Sequence, residues 1–179
     1  ESMSAGAYPR GLAIADIYGK AANQLIVANF GEDTLIGQEN KGEPASSVMV
    51  FSGNTRKDIS AGKSPRGVAS GDLDADGVDD LAVSNYADGT ISLITEKGTL
   101  VTTLIAGKHP VGVAIGDING DKKNDVAAAV YSENKVVVFL SSSDKSWEKI
   151  EIAVPAAPTD VTIGKIGSEN ALVSANYGA

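Results

Sequence analysis

The sequence predicts an all-β chain of repeated four-stranded antiparallel sheets, and three observations carry that prediction. Short runs rich in apolar and β-branched residues alternate with Gly- and Asp-rich turns. No window of about eleven residues or more shows a helical stripe. The whole pattern returns after 45 to 56 residues, a period that signals solenoids, propellers or arrays. Four short strands per unit make the blade of a β-propeller, in which radial packing buries sheet faces that one blade leaves open.

Prolines anchor the units. Pro-x-Gly followed by apolar residues occurs at Pro9, Pro65 and Pro110, with a looser version at Pro158, giving spacings of 56, 45 and 48. Second strands align as LIVANF from Leu25, LAVSNY from Leu81, VAAAVY from Val126 and LVSANY from Leu172. In the unit from Pro65 the predicted strands are Gly67 to Gly71, Leu81 to Tyr86, Thr90 to Thr95 and Leu100 to Ile105. An acidic loop joins the first two, and Ala87-Asp88-Gly89 and Glu96-Lys97-Gly98 join the others. Asp-Gly and Lys-Gly suit tight hairpins because glycine accepts positive φ cheaply.

The repeats run over about 8–62, 63–107, 108–154 and 155–179, within a domain, or part of one, covering 1–179. The last stops after its second strand, so the chain holds about three and a half blades. A ring left open exposes strand edges that template pairing. Further blades of the same chain are the favoured cover, then blades of another chain. Self-closure as a four-bladed ring comes last, because Glu1 to Ala7 has little strand character. The first unit exceeds the second by 11 residues, falling in the polar stretch Gly31 to Ser47, a long loop that is either a contact surface or an inert insertion.

The acidic loop carries the chemistry. Asp72, Asp74, Asp76 and Asp80 stand at positions 1, 3, 5 and 9 around Gly77 at position 6. That spacing wraps oxygens around a hard cation, and the Val78 carbonyl at position 7 adds another. Calcium takes about six to eight oxygens at about 2.3–2.6 Å, whereas magnesium demands a tight octahedron and holds its waters. An EF-hand would need a Glu at position 12 and flanking helices; here position 12 is Val83, inside a strand, and glycines precede the loop. The plain alternative is an acidic surface turn.

A second copy follows 45 residues on: Asp117, Asn119, Asp121 and Asp125 repeat positions 1, 3, 5 and 9, with the Lys123 carbonyl at position 7. There Lys122 replaces the position-6 glycine, which strains a turn wanting positive φ and puts a cation beside the site. Weaker metal binding is expected. In the first unit only Asp16 survives, with Tyr18, Lys20 and Gln24 at the other ligand positions, and the fourth carries Lys165 at position 1. Neither is expected to hold metal.

The stretches GVASGDLDADGVDDLAVSNY and GVAIGDINGDKKNDVAAAVY resemble the FG-GAP and VCBS repeats, the calcium-loop propellers that include integrin α-subunit heads. The PxGVA start and NY-x-DGT-I-S are also similar to YVTN-type surface-layer propellers, which lack the aspartate loop. The resemblance implies calcium between the first and second strands, a binding rather than catalytic role, and a secreted or cell-surface setting, the periplasm included.

Composition narrows the function classes. At 179 residues with 42% hydrophobic content the chain has enough material for a core. A net charge of −8 without a basic stripe argues against nucleic acid. No apolar run of about 18 residues exists to span a membrane. Zero cysteines exclude disulfides and thiolate metal sites, while loops of this kind fill where calcium is plentiful, about 10⁻⁴–10⁻³ M.

Catalysis finds little support. The single histidine, His109, precedes Pro110 as Ser64 precedes Pro65, in a turn starting a blade. No GxSxG, HExxH or phosphate-cradling loop is present. Trp147 could stack on sugars, but Tyr86, Tyr131 and Tyr177 recur at equivalent strand ends, as repeated packing positions do. The expected function is an extracellular calcium-binding propeller module for protein or polysaccharide binding and adhesion, not an enzyme. The alternatives are the noncatalytic propeller of a secreted polysaccharide-active enzyme and a structural subunit assembling through open blade edges.

Overall fold

A computed structural model of the chain describes residues 8–31, 46–95 and 98–178. Its strands form antiparallel sheets in strict sequence order. The first holds β1 (Pro9–Ala15), β2 (Gln24–Asn29), β3 (Ser47–Ser52) and β4 (Thr55–Ser60). The second holds β5 (Pro65–Gly71), β6 (Asp80–Asn85), β7 (Thr90–Thr95) and β8 (Thr99–Ile105). The third holds β9 (Pro110–Gly116), β10 (Asp125–Val130), β11 (Lys135–Ser141) and β12 (Trp147–Ala153). A two-stranded sheet of β13 (Pro158–Ile166) and β14 (Glu169–Asn176) follows. We call these blades I to IV. Among the described residues there is no α-helix, only a 3₁₀ turn at Tyr131–Glu133. The insertion falls between β2 and β3, as expected, but residues 32–45, like Glu1 to Ala7, lie outside the described residues.

Each first strand begins at its proline, so β5 starts two residues before the predicted Gly67. Proline lacks a donor and is tolerated at the first position of a strand. The register slips within Pro-x-Gly of β1 and over Pro65 to Val68 of β5, forming a bulge that bends the strand entering the blade. The motif's glycine has a second cause. The innermost strands pack in sequence, β1 on β5, β5 on β9, β9 on β13. A Cβ on Gly11 would sit 2.6 Å from the Arg66 carbonyl oxygen. One on Gly67 would collide with the Val111 carbonyl oxygen in the same way. The Pro-x-Gly repeat is therefore an inter-blade contact written into the sequence.

Alternation does the rest of the packing. On β6, Leu81 and Val83 join Ile26, Val48 and Val50 of blade I, while Ala82 turns toward Val113, Val126 and Val137 of blade III. On β10, Val126, Ala128 and Val130 face blade II, and Ala127 and Ala129 join Val161 of blade IV. Both strands are buried throughout, which is why they read as continuous apolar runs rather than alternating ones. Each fully buried Val, Leu or Ile contributes about 1.5–3 kcal/mol, so the inter-blade layers hold the array together. The outer faces differ: Leu12 and Ile14 on β1 are each 66% exposed, and Val173 on β14 is 49% exposed.

The two ends of the blades carry different chemistry. At one end the carbonyls of Tyr8, Ser64, His109 and Ala157, the residues preceding the four prolines, receive the N–H groups of Phe30, Tyr86, Tyr131 and Tyr177 at 3.1, 3.0, 3.1 and 2.9 Å. Phe30 meets Tyr86 edge-on with centroids 5.3 Å apart, and Tyr86 stacks on His109 at 4.3 Å. These residues thus close strands, and Tyr86 links blades I to III, whereas the expected packing role does not extend to Tyr131 and Tyr177, which are exposed. At the opposite end lie the acidic loops, between first and second strands.

Candidate metal centre

The loop between β5 and β6 folds around its own carboxylates. Asp72 Oδ1 and Oδ2 accept the N–H groups of Asp76 and Gly77 at 3.2 and 2.9 Å. Asp76 Oδ1 accepts that of Val78 at 2.8 Å, and Asp80 Oδ2 that of Leu73 at 2.7 Å. These bonds wind the chain so that carboxylate oxygens of Asp72, Asp74 and Asp80 lie within 4.8 Å of one another. Asp76 stands outside that group of three.

Electrostatics agree with a site built for a cation. Asp80 is 3% exposed. Burial, resisted by the Leu73 N–H and reinforced by the charges of Asp74, Asp76 and Asp72, pushes its carboxyl up to about 7. Three converging carboxylates repel one another unless a proton or a cation joins them. An all-oxygen donor set of this kind fits calcium; Asp72, Asp74 and Asp80 would hold it, with Asp76 and the Val78 carbonyl beside them.

The loop between β9 and β10 repeats the scaffold with Asn119 in place of one of the three carboxylates. Asp117 accepts from Gly120 and Lys122 at 2.7 and 3.0 Å, and Asp125 Oδ2 accepts from Ile118 at 2.9 Å. Further oxygens are engaged as well. Asn119 Oδ1 accepts the Asp121 N–H at 2.9 Å, and Asp125 Oδ1 takes the N–H and hydroxyl of Ser141 at 2.9 and 3.4 Å. The ammonium of Lys123 lies 3.8 Å from Asp121. Among the described residues, no group of three acidic side chains converges here as at Asp72.

One expectation needs correction. Lys122 does take a left-handed conformation, φ +68°, where the first loop has Gly77 at +83°. Yet position 4 is left-handed too, and there the first loop places Ala75 at +63° while the second has Gly120 at +85°. Each loop contains one glycine and one strained residue in exchanged positions. Backbone strain therefore does not separate the loops; charge and side-chain engagement do.

The other blades show what the scaffold keeps when ligands are lost. In blade I, Asp16 Oδ1 accepts from Lys20 at 3.1 Å, and Gln24 Oε1 accepts the Ile17 N–H at 3.0 Å, the bond that Asp80 and Asp125 make in their own loops. Position 9 holds the turn first. Glutamine does so without charge. In blade IV, Lys165 pairs with Asn170 in the β13–β14 ladder, and the loop shrinks to a hairpin at Gly167, φ +66°.

Position 8 is the residue that sequence reasoning missed. Asp79 Oδ2 accepts the Asp16 N–H of the preceding blade at 2.9 Å, and Asn124 Nδ2 donates to the Asp72 carbonyl at 2.8 Å. Each clamps its loop to position 1 of the loop before it. A signal existed: Asn23, Asp79 and Asn124 all occupy position 8.

Comparison with known proteins finds a family match across the loops of blades II and III. Residues 72–128 match the FG-GAP-like repeat. No curated protein sequence matches the chain. Among solved structures, BBS1N from a complex with ARL6DN is 12% identical, covering 96% of this chain and 51% of that one, with a TM-score of 0.65. Kuenenia stuttgartiensis hydrazine synthase is 16% identical, covering 100% and 45%, also at 0.65. A functionally unknown protein from Desulfotomaculum acetoxidans DSM 771 is 12% identical, covering 97% and 50%, at 0.58. These likenesses are of propeller fold, and the chain spans about half the length of the solved chains it matches.

Proposed function

We propose, from the FG-GAP-like repeat at 72–128 and the blades around it, that this chain is a calcium-binding propeller module that works outside the cytoplasm and holds a protein or polysaccharide partner. The observation that carries the reading is the convergence of Asp72, Asp74 and Asp80 on a hydrogen-bonded loop, with buried Asp80 at its base. Calcium there would neutralise the carboxylates and stabilise the folded chain by mass action, by about 2.7 kcal/mol at a hundred times the dissociation constant. A secreted, cell-surface or periplasmic setting supplies the cation at the concentration such loops require. Asp117, Asn119, Asp121, Asp125 and the Lys123 carbonyl would form a second, weaker site.

Binding rather than catalysis fits the surroundings of the one histidine. His109 stacks on Tyr86, and its Nδ1 lies 2.6 Å from Ser132 Oγ, which makes it a packing residue at the end away from the loops. Propellers hold protein partners elsewhere, as BBS1N does in its complex with ARL6DN. A second reading, assembly with further blades, draws on exposed Leu12, Ile14 and Val173 on the outer faces of blades I and IV.

Thermal melting tests the calcium reading. About 1 mM calcium should raise the melting temperature over that in chelator, and Asp74→Ala should remove most of the rise; equal melting in both buffers would sink the reading. Sedimentation tests the second reading, which a stable monomer would oppose.

A further inference from the structure

Between blades II and III, at the end that carries the acidic loops, lies a cleft of about 550 Å³. Asp72 and Asp74 form part of one wall, and Lys122, Lys123 and Lys145 line it from blade III together with Trp147. We propose that this cleft binds an anionic saccharide, a sugar chain bearing carboxylate or sulfate groups; the proposal rests on calcium occupying the Asp72 loop.

Charge sets the sign of the ligand. The chain as a whole carries −8, yet three lysines gather at this one cleft. Without a cation, Asp72 and Asp74 oppose them and repel an anion. Calcium in the loop would cancel two of the loop's negative charges, so the lysines opposite draw an anion against less repulsion. Lys123 is tethered to Ser143 at 2.8 Å, but Lys122 and Lys145 form no ion pair among the described residues. Both stand at turns in left-handed conformations, φ +68° and +64°. Both are exposed at the rim, within reach of an incoming anion.

The remaining lining selects a sugar over an acidic peptide. Trp147 is half-buried at the start of β12, anchored against the hydrophobic layer between the blades. An indole anchored in this way offers an apolar face to the C–H face of a pyranose ring. The turn between β11 and β12 adds serine hydroxyls to the wall, partners for sugar hydroxyls that an acidic peptide side chain lacks. Pockets that combine an apolar wall with a few polar groups are the usual form of small-ligand sites.

Trp147 is the only tryptophan in the chain, so its emission reports the cleft directly. The experiment titrates the full chain first with calcium by calorimetry, then with oligogalacturonate, a sulfated heparin fragment, a neutral gluco-oligosaccharide and a poly-glutamate peptide, each followed by fluorescence. One or both acidic saccharides should change the emission, about tenfold more tightly in calcium than in chelator, and the variant Lys145→Ala should weaken binding severalfold without altering the calcium isotherm. The carboxylated and sulfated probes separate the two anion types. Equal binding of the neutral sugar, preference for poly-glutamate, unchanged affinity in the lysine variant, or no saccharide binding by calcium-loaded protein would overturn the proposal. A flat calcium isotherm would instead overturn the calcium reading, and saccharide binding that ignores chelator would remove the cation's part in the cleft.

Discussion

Two loops of one design, 45 residues apart, differ in the charge they bring together. In the loop of blade II, Asp72, Asp74 and Asp80 converge. In that of blade III Asn119 stands where Asp74 does, its oxygen taken by the Asp121 N–H, and Lys123 stands beside Asp121. The shared bonds, from position 1 to the turn and from position 9 back to position 2, are retained. Loop shape and the charge available to a cation are therefore separable properties of the same nine residues. Blade I takes the separation further, for Gln24 keeps the shape-holding bond without a carboxylate.

Calcium titration should separate the loops most. Calorimetry is expected to resolve one tighter event that Asp74→Ala abolishes and one weaker event that Asn119→Asp strengthens; a stabilisation of about 2.7 kcal/mol corresponds to a rise of about 5–10 °C in melting temperature for a domain of this size. If Asp74→Ala removes the weaker event instead, the assignment of the sites is reversed.

Proton competition comes next. The folded chain holds the Asp80 carboxyl at about 7, while an unfolded chain holds it near about 3.9. Between those values the folded state keeps a proton that the unfolded state has released, so calcium-free stability falls as pH rises from about 4 to about 7 and levels off above. Melting in chelator at pH 5 and pH 8 should show a drop of several degrees, which Asp80→Asn flattens and saturating calcium suppresses. A curve that rises over this range would place the repulsion elsewhere.

The inter-blade clamps predict an asymmetry of about 1–2 kcal/mol. Asn124→Asp sets a carboxylate against the Asp72 carbonyl and should lower stability by that amount, whereas Asp79→Asn can turn its oxygen to the Asp16 N–H and should cost much less. Denaturant unfolding of the two variants measures the difference, and equal losses would mean that position 8 does not clamp by hydrogen bonding. Smallest of all, Ala75→Gly and Lys122→Gly should each stabilise calcium-free protein by about 0.5–1 kcal/mol. Unequal gains in denaturant melts would restore backbone strain as a difference between the loops.

Much of the fold was legible because a repeat states its physics several times. The predicted Thr90 to Thr95 strand is β7, and Leu81 to Tyr86 differs from β6 by one residue at each end. Period-two burial and tight turns are local properties, visible in one chain. The acidic loop was legible for the same reason, since its ligands and glycine fall within nine residues. Where the reading went astray, the cause was distance or conformation. Lys122 seemed to strain its loop uniquely only because the left-handed state of Ala75 leaves no mark in sequence. Asp79 and Asn124 drew no expectation because their partners lie in the preceding blade.

By itself, then, the sequence determined the blade, its four-strand order, the Pro-x-Gly anchor and the set of oxygens available for a cation, all of which are written within one repeat. Tertiary structure decided which of those oxygens converge, which ones clamp blade to blade, and that the two loops share a cleft with three lysines and Trp147. Those outcomes depend on how adjacent blades stack. The direction of a carboxylate is set by donors that radial packing brings to it, and no spacing along the chain records them.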